Sequence, residues 1–371
     1  MKLPLSQASI VQFGTSRFLL GHVAAFADQA IENGRSREAI LVVQTSSRPE
    51  GKAKAVALAQ QASYPLHIRG LRNGQPVDEQ LSIGSVAGCL VAQEQWQALE
   101  HHFIHTARWV VSNTGDSGYQ VADDTSLADV PSSFPGKLTK LLYARFSAGQ
   151  PGLTLLPCEL IGSNGHVLKE IVLQLARRDY HDTPFEEWLA AHCCWVNTLV
   201  DRIVSAPLEP VGAVAEPYAL WAVQQTPGLV MPFEHPAVEV ASSLQPFELR
   251  KLHILNLAHT YLVDQWRKNG LTESVIYVRE AMQEPLLRNG LCEVMMQEVL
   301  PVLARELPDM DLNAYWHNTL ERFDNPYLDH RLEDIANYHG DKLTRRLKPV
   351  VELGIKYDIA TTRLCAALGR N

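Results

Sequence analysis

The sequence predicts an α/β fold in its first half, a parallel sheet covered by helices, followed by a mainly α-helical half. Two patterns carry this. Up to about residue 205, short β-rich runs alternate with helical periodicities, and from about residue 207 the strand signals thin out while long helical patterns take over. Length sets the scale: 371 residues suffice for two domains, each with its own core.

In chain order, residues 8–13 (ASIVQF) read as the first strand, with Gly14 directly after it. Residues 18–33 read as an amphipathic helix ended by Gly34, and residues 39–44 (AILVVQ) as the second strand, which completes a βαβ unit. Further strands are expected at 109–112 (WVVS), ahead of NTGDSG, and at 153–156 (LTLL), ahead of Pro157, with helices at 94–106 and 137–147. The clearest later helices are 247–268, 284–307 and 329–353. Three prolines, Pro207, Pro210 and Pro217, place the expected boundary near Ser205. The reading is a Rossmann-like dinucleotide-binding domain over 1–205 and a helical substrate domain over 206–371, with the substrate meeting the cofactor between them.

Charge and composition narrow the function. There are 33 basic and 41 acidic residues, a net charge of −8, and no run of Lys or Arg to follow a phosphate backbone, so nucleic acid is not an expected partner. No segment has the roughly 18 to 20 apolar residues of a membrane span, and the N-terminal residues lack the layout of a signal peptide. A cytoplasmic protein, monomeric or a small homo-oligomer, is expected. Cys89, Cys158, Cys193, Cys194, Cys292 and Cys365 form no CxxC pair and are read as reduced, mostly buried thiols.

The turn after the first strand reads Gly14-Thr-Ser-Arg-Phe-Leu-Leu-Gly21, which is not GxGxxG. Gly14 stands at the tight turn, and Ser16 takes the place where a second glycine lets the backbone approach a pyrophosphate. Arg17 is either a phosphate contact or a solvated surface charge. The second strand ends in Gln44-Thr45-Ser46-Ser47-Arg48, without the acid that grips the ribose hydroxyls of NAD. Arg48 is either a partner for the 2′-phosphate of NADP or a loop charge. NAD is the expected cofactor, with NADP left open.

The most informative segment is ELRKLHILNLAHTYLVDQW, residues 248–266, where Lys251, Asn256 and His259 interrupt an apolar helical pattern. At about 100° per residue, Asn256 lies about 140° and His259 about 80° round from Lys251, on one side of the helix. A lysine among apolar neighbours loses solvation, which suits it to give and take a proton near neutral pH. Reduction of a ketone by hydride needs such a donor for the developing oxyanion, and an amide to hold the oxygen. On spacing alone, a snorkelling lysine and a core histidine are the favoured reading.

The string KLHILNLAHTYL resembles the K-x4-N-x2-H signature of the mannitol dehydrogenase family, long-chain polyol dehydrogenases and sugar-acid reductases that work without zinc. CWVNTLVDRIV (194–204) resembles that family's VDRI segment, and residues 321–349 resemble its RF-x-NP block. VVSNTGDSGY (110–119), FPGKLTKLLYARF (134–146) and LPCELIGSNGHVLKEIVLQLA (156–176) are most similar to the branch that reduces keto sugar acids of the tagaturonate type. The likeness runs from about Val11 to Pro349. It implies that Lys251 is the general acid/base, Asn256 and Asn197 the oxyanion contacts, His259 a substrate ligand, and Asn113, Thr114 and Gly115 neighbours of the nicotinamide. Lys342 matches a basic position that would contact a hydroxyl or carboxylate. The alternatives it leaves are a polyol or ketose dehydrogenase of the mannitol or arabinitol kind, and a sugar-acid-binding protein that has lost turnover.

Departures from the family pattern are Leu257, where glycine is usual and a leucine is expected to narrow the pocket, and Gln225, where the mannitol enzymes carry an acid. His101, His102 and His105 have metal-compatible spacing but no fourth ligand, and read as an ordinary helix. Cys193 and Cys194 read as packing residues.

Overall fold

The structure, a computed structural model, describes residues 2–46, 49–115, 118–121 and 124–369. The strands are β1 (Ile10–Phe13), β2 (Ile40–Gln44), β3 (Tyr64–Arg72), β4 (Gln75–Ile83), β5 (Val86–Val91), β6 (Trp109–Ser112), β7 (Thr154–Pro157), β8 (Cys194–Trp195), β9 (Thr198–Asp201), β10 (Val204–Pro207), β11 (Ala213–Ala215), β12 (Leu220–Gln224) and β13 (Val238–Ala241). Two compact units emerge. The first holds Met1–Ile68, Glu79–Ala215 and Ala219–Leu244, and the second holds Arg69–Asp78, Glu216–Tyr218 and Gln245–Asn371. The boundary expected near Ser205 is therefore corrected to about Leu244. The proline-bearing stretch does not link domains but pairs as β10 and β11, and β12 and β13 follow it within the first unit.

At the centre of the first unit is a six-stranded sheet in the order β5-β2-β1-β6-β7-β8, with every pairing parallel. Its helices include α1 (Arg17–Leu20), α2 (Val23–Glu32), α3 (Pro49–Gln60), α4 (Trp96–His105), α5 (Phe134–Ser147), α6 (Asn164–Asp179) and α7 (Thr183–Ala191). The helix expected over 18–33 is broken at Gly21 and His22, so α1 is a single turn before α2. Val11, Phe13, Val43, Val110 and Leu155 from the sheet pack with Leu99, Phe103, Leu138, Leu142 and Val172 from α4, α5 and α6. Each fully buried leucine there contributes roughly 1.5 to 3 kcal/mol. The chain order of the sheet reverses between β1 and β6, a topological switch point, and in such sheets the crevice at the strands' carboxyl ends takes the ligand.

Two smaller sheets, β10-β11-β3-β4 and β13-β12-β9, complete the strands. β3 and β4 flank the Asn73–Gly74 pair, both at positive φ, the conformation of a tight hairpin turn.

The second unit is helical: α8 (Gln245–Arg250), a π turn (Lys251–Asn256), α9 (Leu257–Lys268), α10 (Val278–Ala281), α11 (Pro285–Val294), a second π turn (Met295–Val299), α12 (Leu300–Glu306), α13 (Leu312–Phe323), α14 (Leu332–Ile335), α15 (His339–Arg346), α16 (Lys348–Tyr357) and α17 (Thr362–Ala367). α9 is central, with Leu257, Leu262 and Val263 wholly buried among Leu291, Val294 and Leu347. The helix expected over 329–353 is three shorter ones, because Asn337 and Tyr338 stand between α14 and α15, with Tyr338 left-handed at φ 54°. In this unit Arg322 and Glu216, both buried, form a two-point ion pair at 2.9 and 3.0 Å. Among the described residues no helix is long and apolar enough to cross a membrane.

Candidate active site

The first unit carries a cleft of about 1070 Å³ at the carboxyl ends of β1, β2 and β6. Gly14, Thr15 and Ser16 line it after β1, Gln44, Thr45 and Ser46 after β2, and Asn113, Thr114 and Gly115 after β6. Gly14 has a φ of +115°, and a Cβ there would sit 3.0 Å from the Asn113 carbonyl oxygen. The turn thus passes hard against the β6 loop, in a backbone shape that favours glycine. Ser16 caps α1, its hydroxyl accepting from the Leu19 N–H at 3.3 Å. Arg17 is exposed and is not among the lining residues. Arg48 lies outside the described residues.

A buried carboxylate fixes the β6 loop. Glu159, 4 % exposed, accepts from Ser112 Oγ (3.0 Å), the Thr114 N–H and hydroxyl (3.1 Å each) and the Tyr119 hydroxyl (3.1 Å). Burial raises its pKa, and these donors oppose the shift. Asn113 donates to the Cys158 carbonyl at 2.7 Å. Behind them Asn164 donates to the Pro157, Glu159 and Thr198 carbonyls and accepts from the Gly165 and Thr198 N–H groups. Glu159 and Asn164 lie in the LPCELIGSNG stretch, to which the sequence alone assigns no role; their signal is a polar residue close behind a strand that is apolar except for Thr154.

The opposite wall was also not foreseen. Asp124 accepts from the Ser132 and Ser133 N–H groups and the Ser133 hydroxyl (2.9, 2.8 and 2.5 Å), and Lys137, 1 % exposed, donates to the Ser132 carbonyl at 2.7 Å. Burial brings the Lys137 pKa down to about 8, with Asp124 pulling the other way. Asp124, Ser132, Ser133 and Phe134 all line the cleft.

Asn197 also belongs to the first unit. Its amide accepts from the His166 N–H at 3.0 Å and donates to Gln224 at 2.9 Å, and among the described residues its second N–H hydrogen has no acceptor. Cys193 is buried and Cys194 half-buried, and three of the six cysteines, all free, are fully buried.

In the second unit Lys251, Asn256 and His259 lie along one continuous helical run that is not α-helical throughout. Lys251–Asn256 is a π turn, with the Leu257 N–H bonding back to the Leu252 carbonyl, five residues earlier. Lys251 and Asn256 are half-buried and His259 is buried. The Asn256 carbonyl accepts from Arg346 Nη1 and the Thr260 hydroxyl, both at 3.0 Å, and His253 bonds the Arg346 carbonyl at 2.9 Å, so α15 ties to the middle and the end of the turn.

His259 bonds the Leu255 carbonyl through Nδ1 at 3.0 Å and packs on the Phe323 ring, 4.1 Å between centroids. Burial, then His330 and Arg322, hold its pKa well below the ordinary value, so it is neutral. His330, which the sequence reading passed over, stands edge-on to it at 5.0 Å. Lys342 is half-buried on α15, donates to the Ile335 carbonyl at 2.8 Å, and has its pKa lowered by burial and by Arg346. Leu257 is wholly buried in the helical core, which corrects the expectation that its side chain narrows a pocket. Among the described residues no three His, Cys, Asp or Glu side chains converge as a metal site would require.

Comparison with known proteins identifies both halves of the chain. A model described as the mannitol dehydrogenase Rossmann domain fits residues 8–231, and one described as the mannitol dehydrogenase C-terminal domain fits residues 243–370. The chain is 32 % identical to the altronate oxidoreductase of Bacillus subtilis (strain 168) over 368 residues, which is 92 % of this chain and 74 % of that one. It is 34 % identical to that of Pectobacterium carotovorum subsp. carotovorum (strain PC1), over 92 % and 73 %. Among solved structures, D-sorbitol dehydrogenase in substrate-free form superposes with a TM-score of 0.84 at 21 % identity, over 97 % of this chain and 78 % of the other. Pseudomonas fluorescens mannitol 2-dehydrogenase, in ternary complex with NAD and D-mannitol, gives 0.75 at 24 %, over 99 % and 80 %. At those identities the likeness shows the fold.

Proposed function

The chain belongs to the mannitol dehydrogenase family, and from that premise we propose that it interconverts a keto sugar acid of the tagaturonate type and its aldonate, with Lys251 as proton donor. The observation that supports the chemistry is the π turn over Lys251–Asn256, which carries Lys251 and Asn256 half-buried on the same helical run as the buried His259. Relatives named altronate oxidoreductase support the substrate class.

The cleft at the β1/β6 switch point fits a dinucleotide. The glycine at φ +115° lets the backbone pass where a Cβ would crowd it, and two of the three lining loops follow β1 and β6, the strands that border the switch point. Gly14, Ser16, Asn113, Thr114 and Gly115 would hold the cofactor. When bound, NADH supplies the hydride. Lys251 gives its Nζ proton to the carbonyl oxygen as negative charge develops there, and takes one from the alcohol in the oxidative direction. The amides of Asn256 and Asn197 donate to that oxygen. His259, neutral and with Nδ1 engaged at Leu255, offers Nε2 to a substrate hydroxyl. Lys342 pairs with the carboxylate that distinguishes a sugar acid from a polyol.

The test is a screen of keto-uronates, ketoses and aldonates with NADH, NADPH and their oxidised forms, read at the nicotinamide absorbance. Turnover of a keto-uronate well above that of fructose is expected. Preference for the uncharged ketose would move the substrate to the polyol class, and failure of both nucleotides to bind at millimolar concentration would refute the enzyme.

A further inference from the structure

Resting on the dinucleotide reading of the cleft, we propose that Lys54 and Glu50 let it accept NADP(H) as well as NAD(H), Lys54 pairing with the 2′-phosphate and Glu50 with the free ribose hydroxyls. Dinucleotide folds read the adenosine ribose at the end of the second strand, usually with an acid there. In this chain that position is a neutral amide with its groups already used. Gln44 is 4 % exposed, its Oε1 accepts from the Thr15 hydroxyl at 2.5 Å, and its Nε2 donates to the Ser46 carbonyl and hydroxyl at 2.9 Å. It braces the turn and presents no charge.

Charge comes instead from α3. A Cβ at Gly51 would fall 2.1 Å from Gln44 Nε2, so the helix lies directly on the end of β2. That contact brings Glu50 and Lys54, one helical turn apart, to the same cleft wall as Thr45 and Ser46. Lys54 is half-buried and makes no hydrogen bond or ion pair with a described residue, whereas Lys52 on the same helix pairs with Glu94. An ammonium held there finds a partner in a phosphate, and a carboxylate finds one in a pair of hydroxyls.

Fluorescence titration of the intact chain with NADH and NADPH tests this by binding alone. NADPH is expected to bind the parent within about threefold of NADH. Lys54→Met is expected to weaken NADPH roughly tenfold or more, the loss of one charge-assisted contact, with NADH changed less than about twofold. Lys54→Arg should retain NADPH, and Glu50→Gln should tighten NADPH while weakening NADH. Binding of NADH without NADPH, or a Lys54→Met variant that shifts both nucleotides alike or neither, would overturn the proposal and leave the oxidoreductase reading standing. Failure of both nucleotides to bind the parent would overturn the two together.

Discussion

At the scale of single residues, two side chains carry sharp expectations. Lys251→Ala is expected to lower turnover at least about a hundredfold, the low end for removing a general acid, while NADH binding in the first unit persists. Parallel kcat and nucleotide titrations check it, and unchanged kcat would remove the lysine from the mechanism. Asp28 lies outside the active site and titrates in an accessible range. It is 7 % exposed, accepts from the Gly84 N–H at 2.7 Å, and burial pushes its pKa up to about 6 from 3.8, against that hydrogen bond and with Glu32 adding to the rise. A carboxyl with a raised folded pKa favours the fold in its protonated form. The stability it gives is therefore complete below about pH 4 and lost as the pH climbs to about 6 and beyond. Asp28→Asn, which keeps the acceptor, should be more stable than the parent above pH 6 by as much as about 3 kcal/mol, and equal to it near pH 4. Urea unfolding at both pH values decides this.

At the scale of elements, loops are held by buried polar groups that the neighbouring strands position. Glu159 follows β7 and serves β6, gathering donors from Ser112, Thr114 and Tyr119. Glu159→Ala would strand several of them in the interior, at a cost of about 2 to 4 kcal/mol. The Asn113–Gly115 loop would then lose its anchor, and NADH affinity is expected to fall roughly tenfold while a Glu159→Gln variant, which keeps one acceptor, loses less. Denaturant unfolding together with NADH titration separates the two effects; full affinity in a folded Glu159→Ala variant would show that the loop needs no such anchor. The π turn makes the same point about helices. Arg346, 90 residues away in sequence, donates to the Asn256 carbonyl at its end, so the turn that carries Lys251 is tied to α15.

At the scale of the whole molecule, ligand linkage gives the plainest check on the division into two units. A nucleotide held by the first unit stabilises it by about 2.7 kcal/mol at a hundred times its dissociation constant. Calorimetry with NADH should raise the transition that melts the parallel sheet, and no rise at saturation would remove the nucleotide from that unit. By itself the sequence determined the βαβ start, the strands β1, β2, β6 and β7, the helices α8, α9, α11 and α12 as a class, and Gly14 at the turn after β1. Such features rest on local periodicity and on motifs a few residues long, which survive in one dimension. The Asn73–Gly74 turn between alternating strands was legible as well and was overlooked. Only tertiary structure decided the short strands β8 to β13, the end of the first unit near Leu244, the π turn, and the hydrogen-bond networks of Glu159 and Asn164. These depend on hydrogen bonds and packing between residues far apart in the chain, whose partners no local pattern names.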